Sequence, residues 1–502
     1  MRYILQLFIF IFLTINSNAM IHHIGNGYPH VDFESAAAVV LAGDTIYFHE
    51  GNHQGGQYVS DLKGTPNAWI YIMNAPNEIP ILEGGNNAIQ LSNPAYIHII
   101  GLIFQNQTAN GFNVDDGGTF DSPAHHIIFE DCTFQDIDAS GNNDLLKMSG
   151  AEDFEIKNCL FLNGSAGGSG IDMVGCHRGV IQNSFFENMG SNCIQAKGGT
   201  EFIRIEANFF KNGGNRTLNL GGSTSLQYFR PIDAPFEAAN LQVYSNIIIG
   251  SWAAIGFVGS VNVEVANNTI YQPENWVFRI LQETVDPDRF LECGDNIVKN
   301  NIVYLNNSLS TETNIGPDTR PETFTFSNNL WFNSDDPNWQ GPNIPVGDPN
   351  MILNENPMFL DGNNDDFSIS TSSPATGMGD SSIEPSRDFL GNNFNSPRSV
   401  GAIESNPSTS VFQLTDVSGS INIFPNPSTS KLTVTFNVEK SSKQVEMYII
   451  DAQGKELFLS IIKTMNQGFH KKDFDLKLKS GIYFFKIKIG NELFSKKVVI
   501  VN

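Results

Sequence analysis

The stretches IIFEDCTF (127–134), FEIKNCLF (154–161), GVIQNSFF (179–186) and IRIEANFF (203–210) are variations on one phrase. Each alternates apolar and polar residues, then places a small or amide residue, then an apolar pair. The phrase continues as LQVYSNIII (241–249), VEVANNTI (263–270), NIVKNNIV (296–303) and TFTFSNNLW (323–331). Aligned on the small or amide residue, Cys132, Cys159, Ser184, Asn208, Asn246, Asn268, Asn301 and Asn329 fall in one column, at intervals of 22 to 38 residues. Period-two alternation without helical periodicity, repeated in this way, predicts a solenoid of β-coils. Coils stack about 4.8 Å apart, so a column in the alignment becomes a ladder through the molecule. Amide ladders satisfy one another, and Phe134, Phe161, Phe186 and Phe210 form an interior stack.

Such an array also accommodates the length. A chain of 502 residues exceeds one ordinary core, so it must divide into domains or grow in one dimension. Charged residues make up only 16 %, and Gly, Asn, Ser and Phe are abundant, as in an extracellular β-rich protein with many tight turns. The five cysteines (132, 159, 176, 193 and 293) are odd in number, irregularly spaced and without a CxxC pair. They read as small buried residues rather than a disulfide framework or a zinc site.

The two ends carry addresses. MRYILQLFIFIFLTINSNAM has a basic Arg2, a short apolar core and the small-residue site Ser17-Asn18-Ala19, so residues 1–19 are expected to be a secretory signal peptide. No other stretch approaches the roughly 20 apolar residues of a membrane span. Residues 406–420 are polar and turn-rich and read as a linker. Residues 421–502 hold 13 lysines against 7 acidic residues, whereas the rest of the chain holds 16 basic against 46 acidic. The sign change sets off the tail as a separate domain, whose alternating runs predict a small β-sandwich. The strongly negative body argues against a nucleic-acid partner.

Residues 25–405 resemble the right-handed parallel β-helix proteins of the pectate-lyase-like superfamily. FESAAAVVLAGDTIYFHEGNHQGG (33–56) looks like that superfamily's N-terminal cap, a short helix closing the first coil before AGDTIYF begins the first strand. NPMFLDGNNDDFSISTSSPATGMGD (356–380) and VGAIES (400–405) look like its C-terminal end. The tail, with FPNP, DAQGK, SGIYFFKI and KKVVI in that order, resembles the C-terminal sorting domain of type IX secretion substrates of Bacteroidota. The expected fold is therefore all-β: a right-handed parallel β-helix over 20–405, the linker, then the sandwich. The resemblance implies export by the type IX machinery, and release or attachment at the cell surface.

One face of the solenoid carries the candidate chemistry. DLLKMSG (144–150), SGIDMVG (169–175), NCIQAKG (192–198) and RTLNLGG (216–222) align so that Leu146, Ile171, Ile194 and Leu218 point inward. The next residues, Lys147, Asp172, Gln195 and Asn219, form an outward column that extends through Gly256 to Arg279. Ser149, Val174, Lys197 and Gly221 form a second, with Arg216 at the preceding turn and His177 and Arg178 at the following one. The segments 225–240, which contains Arg230, and 271–295 are placed to wall this face into a groove.

A cluster of cations and amides on an acidic protein suits β-elimination on a uronic-acid polysaccharide. A base removes the C5 proton, and neighbouring cations lower a lysine's pKa toward that task. Lys197 is the candidate base, with Asp172 and Arg216 beside it and His177 or Arg178 at the leaving oxygen. Lys147, Gln195, Asn219, Arg178, Arg230 and Arg279 are candidate substrate-binding residues. N-x-I-Q-x-K (192–197) looks like the base-lysine motif of the alginate and dermatan lyases of the chondroitinase-B type, which implies calcium as a further stabiliser of charge. Gly221 stands where those enzymes place an arginine, with Arg216 nearby, and their acidic calcium ligands have no match here. Two other readings are weighed: a glycan-binding or adhesin β-helix without catalysis, and a glycoside hydrolase using Asp144 and Asp172. The expected partners are an acidic polysaccharide and the secretion machinery, with the chain itself a monomer.

Overall fold

In a computed structural model, the described residues are 19–405 apart from 77 and 138, together with the strands of 422–500 and parts of their connections. The proposed signal peptide up to residue 18 and the linker 406–420 lie outside the described residues. Three parallel sheets of fourteen, twelve and ten strands run the length of residues 21–353. Each coil contributes one strand to each sheet, as in Ala151–Lys157, Leu160–Leu162 and Ser169–Val174. In every sheet a strand pairs with its counterpart one coil later.

The repeated phrase spans the corner between the first two sheets. A residue at positive φ (Asn158, Asn183, Ala207, Ser245, Asn267, Asn300) turns the chain, and the aligned small or amide residue follows it. From Asn208 onward the amides form a buried ladder. The Oδ1 of Asn246, Asn268, Asn301 and Asn329 each accepts from the backbone N–H and the side-chain amide of the previous rung, at 2.9–3.1 Å. Ser184 and Cys159 continue the column with smaller side chains, Ser184 Oγ accepting from Cys159 N–H at 3.1 Å. Inside, Phe104, Phe134, Phe161, Phe186 and Phe210 stack with centroids 4.5–5.0 Å apart, the rung spacing itself. All five cysteines are buried and free.

Both ends differ from the sequence reading. Thr45–Phe48 is not the first strand: Ile21–Ile24 precedes the helix Phe33–Ala37 and pairs in parallel with it. The alternation in IHHI is too short to stand out from the leader beside it. Residues 356–405 do more than end the solenoid. Phe367, Ala402 and Ile403 pack on Leu160, Phe185, Phe209 and Ile247, covering the outer face of the second sheet. That face is apolar (LFL, FFE, FFK, III), which is why each repeat ends in an apolar pair instead of alternating. The C-terminal domain consists of antiparallel three- and four-stranded sheets, whose facing residues, among them Val434, Phe436, Met447 and Phe485, share one buried cluster.

Candidate functional site

The third sheet presents the candidate face. Its register pairs Lys147 with Asp172, Asp172 with Gln195, Gln195 with Asn219, Asn219 with Gly256, and Gly256 with Arg279. Leu146, Ile171, Ile194 and Leu218 are fully buried on the inner side. Gln195, Lys197, Arg216, Asn219 and Arg279 line one cleft of about 480 Å³, together with Trp252, Trp276 and Glu283.

Lys197 ends the strand Asn192–Lys197, and its side chain is 12 % exposed. The turn after it is fixed from behind. Gly198 has φ +65°, which favours glycine, and its N–H donates to Glu237 Oε2 at 2.8 Å. Glu237 is fully buried and also accepts from the N–H and hydroxyl of Thr224 and from the Thr284 hydroxyl, joining three turns around the lysine. Nothing in the local sequence marks Glu237, because its partners come from three separate loops.

Lys197 Nζ is paired with the Asp172 carboxylate, at 3.4 Å. The sequence reading placed Asp172 and Arg216 beside Lys197; in the structure Asp172, on the adjacent rung, is the one in contact with it. Asp172 points away from the solenoid core but is fully buried, under the stems of Lys147 and Lys197, and contacts both ammonium groups. It therefore acts only through the lysines. Lys147 is held between Asp172 and Asp144, the latter 3.6 Å away, and does not line the cleft. Burial, and then the negative charge of Asp172, push the Asp144 carboxyl up to about 7, against the pull of Lys147 and the Ser169 N–H. Both carboxylates are shielded from a bound sugar, which removes the Asp144–Asp172 pair as the flanking acids of a hydrolase.

Arg216 Nη1 donates to Asn219 Oδ1 at 2.9 Å and Nη2 to Glu283 at 2.8 Å. The remaining candidates sit elsewhere. His177 opens a strand of the first sheet, its ring between Glu152 and the Gly199 carbonyl. Arg178 is exposed and paired to Glu152 and Asp153. Arg230 is paired to Asp116 and packs over Gly175. None of the three lines the cleft. GCHRG spans the corner between sheets, so two residues beyond Gly175 the chain already faces another direction. Conversely, Trp252 and Trp276 line the cleft and were missed. Trp276 opens the strand that ends at Leu281, three residues before Arg279, the last member of the outward column.

Calcium does not fit this site. It takes six to eight oxygen ligands. Asp144 and Asp172 already enclose the Lys147 ammonium, Glu283 is paired to Arg216, and no group of three His, Cys, Asp or Glu side chains among the described residues is placed to share an ion.

Residues 87–270 match the family described as right handed beta helix region, and 422–501 match the secretion system C-terminal sorting domain. The chain is a parallel β-helix protein with a type IX sorting tail. The tail addresses it outside the cell or to the cell surface. Among solved structures, the β-helix resembles that of pectate lyase Pel9A (14 % identity, TM-score 0.51, 78 % of this chain and 97 % of that one). It is also similar to an alginate lyase from Paenibacillus sp. str. FPU-7 (17 %, 0.42, 61 % and 97 %) and to a PL6-family polysaccharide lyase from Pseudopedobacter saltans (12 %, 0.43, 77 % and 99 %). The first likeness establishes the fold. No curated protein matches the chain. No helix among the described residues is long and apolar enough to cross a membrane.

Proposed function

We propose that the β-helix cleaves an acidic polysaccharide by β-elimination in the cleft of the third sheet. The observation that carries this reading is the convergence of one lysine, two arginines and two amides (Lys197, Arg216, Arg279, Gln195, Asn219) on a single cleft of an otherwise acidic chain. A uronate carboxylate bound by Arg216 and the amides becomes enediolate-like as C5 loses its proton, and donors preset around it stabilise that charge. The C5 proton passes to the neutral amine of Lys197. The C4–C5 double bond forms, the C4–O bond breaks, and the departing oxygen takes a proton from solvent. Asp172 then stabilises the resulting ammonium from behind, dividing its charge between Lys147 and Lys197.

A second reading, glycan binding without catalysis, draws on the same Lys197–Asp172 contact, which ties the lysine to a buried carboxylate in the resting protein. One experiment separates the two. Purified protein is mixed with alginate, polygalacturonate, glycosaminoglycans or ulvan, with and without a chelator, and followed by the absorbance of unsaturated uronate. The lyase reading expects a rise with one substrate class, unaffected by chelator and lost in Lys197→Ala. Binding without any rise supports the second reading.

A further inference from the structure

Arg279 differs from the other cations of this region. Lys147, Lys197, Arg216, Arg230 and Arg178 each contact a carboxylate. Arg279 makes no ion pair among the described residues. Its Nε donates to Asn314 Oδ1 at 3.2 Å, and its guanidinium lies over the Trp276 ring, 4.5 Å from the centroid. Burial, and then the charge of Arg216, hold its pKa below the usual arginine value. A partly buried cation in no ion pair, whose nearby carboxylate Glu283 is held by Arg216, is poised for an anion from outside.

Beside it stands an aromatic plate. Trp252 is 46 % exposed and meets Trp276 edge to face, with centroids 5.9 Å apart. A large exposed ring next to an unpaired guanidinium offers a sugar both a stacking surface and a partner for its acid group. This pair is remote from Lys197. Lys197 is the last residue of Asn192–Lys197, whereas Trp276 is the first of Trp276–Leu281, three strands along the sheet. That puts Trp276 about 14 Å across the strands and about 16 Å along them from Lys197, and Arg279 about 14 Å across and about 7 Å along.

We infer that Trp252, Trp276 and Arg279 form a separate subsite for an anionic sugar, carboxylated or sulfated, several units along the chain from the sugar held at Lys197. The ligand is then a polyanionic chain lying diagonally across the third sheet, and short oligosaccharides cannot reach both ends. This rests on the reading of the cleft as an acidic-polysaccharide site.

The test measures binding by calorimetry on full-length protein carrying Lys197→Ala, so that the chains stay intact. The probes are dimers and hexamers of galacturonate, mannuronate and guluronate, the methyl-esterified galacturonate hexamer, and a chondroitin sulfate hexasaccharide. Hexamers of one acidic class are expected to bind at least about tenfold tighter than dimers, with Arg279→Gln or Trp252→Ala each removing about tenfold from the hexamer alone. Arg279→Lys should restore the salt dependence that Arg279→Gln loses, and circular dichroism confirms that each variant is folded. The methyl ester tests recognition of the carboxylate, and the chondroitin sulfate hexasaccharide tests whether a sugar carrying sulfate beside its carboxylates is accepted. Acidic hexamers that bind equally well to Arg279→Gln and Trp252→Ala overturn the subsite and leave the cleft reading standing. Failure of every acidic hexamer to bind the parent overturns both.

Discussion

Lys197, Asp172, Lys147 and Asp144 form a run of alternating charge that leads from the cleft into the wall of the solenoid. Its inner member sets a pH dependence. An unfolded aspartate ionises near pH 4, while Asp144 in the folded chain keeps its proton up to about 7. Between those values the folded state binds more protons than the unfolded one, so this group makes stability fall as pH rises from about 4 to about 7. Asp144→Asn keeps the shape and removes the titration. Its melting temperature should therefore decline less over that window than that of the wild type, as scanning calorimetry at several pH values would reveal. Equal slopes would mean that Asp144 ionises normally in the fold.

At the scale of elements, the amide ladder holds one corner of the β-helix. Asn268 bridges three rungs: its Nδ2 donates to the Val243 carbonyl, and its Oδ1 accepts from Asn246, while its N–H donates to Asn301. Asn268→Ala leaves buried donors and an acceptor unpaired, and should cost about 2–4 kcal/mol in denaturant unfolding. Asn208→Ser should cost less, since Ser184 fills the same column with a hydroxyl. The ladder was legible because identical corners demand identical residues, so the repeat writes itself into the sequence. The outward column from Lys147 to Arg279 was legible for the same reason: strand register follows from the repeat. What the repeat does not encode was lost. Glu237 reaches its partners across separate loops, and the backward run of 356–405 over the second sheet obeys no period. His177 and Arg178 were misplaced because a one-residue corner after Gly175 reverses which way a side chain faces. That Asp172 stands beside both lysines followed from the register, but its full burial beneath them did not.

For the whole molecule, the acidic solenoid and the lysine-rich tail have separate tasks. The tail comprises small antiparallel sheets with a core of their own, and it addresses the chain to the type IX route. Deleting residues 422–502 should abolish appearance of the β-helix in the medium and at the cell surface, while protein accumulates inside the envelope, as immunoblots of fractionated cells would show. Undiminished export of the truncated chain would mean that the address lies elsewhere. The central claim concerns the bond that breaks. The most direct measurement is mass spectrometry of the products formed from the preferred acidic polysaccharide in oxygen-18 water. β-Elimination predicts products with an unsaturated terminal uronate and no label at the new reducing end before exchange. Incorporation of oxygen-18 at the cleaved bond would show hydrolysis, and an intact polymer would show a cleft that binds without cutting; either would contradict the assignment of Lys197 as an eliminating base.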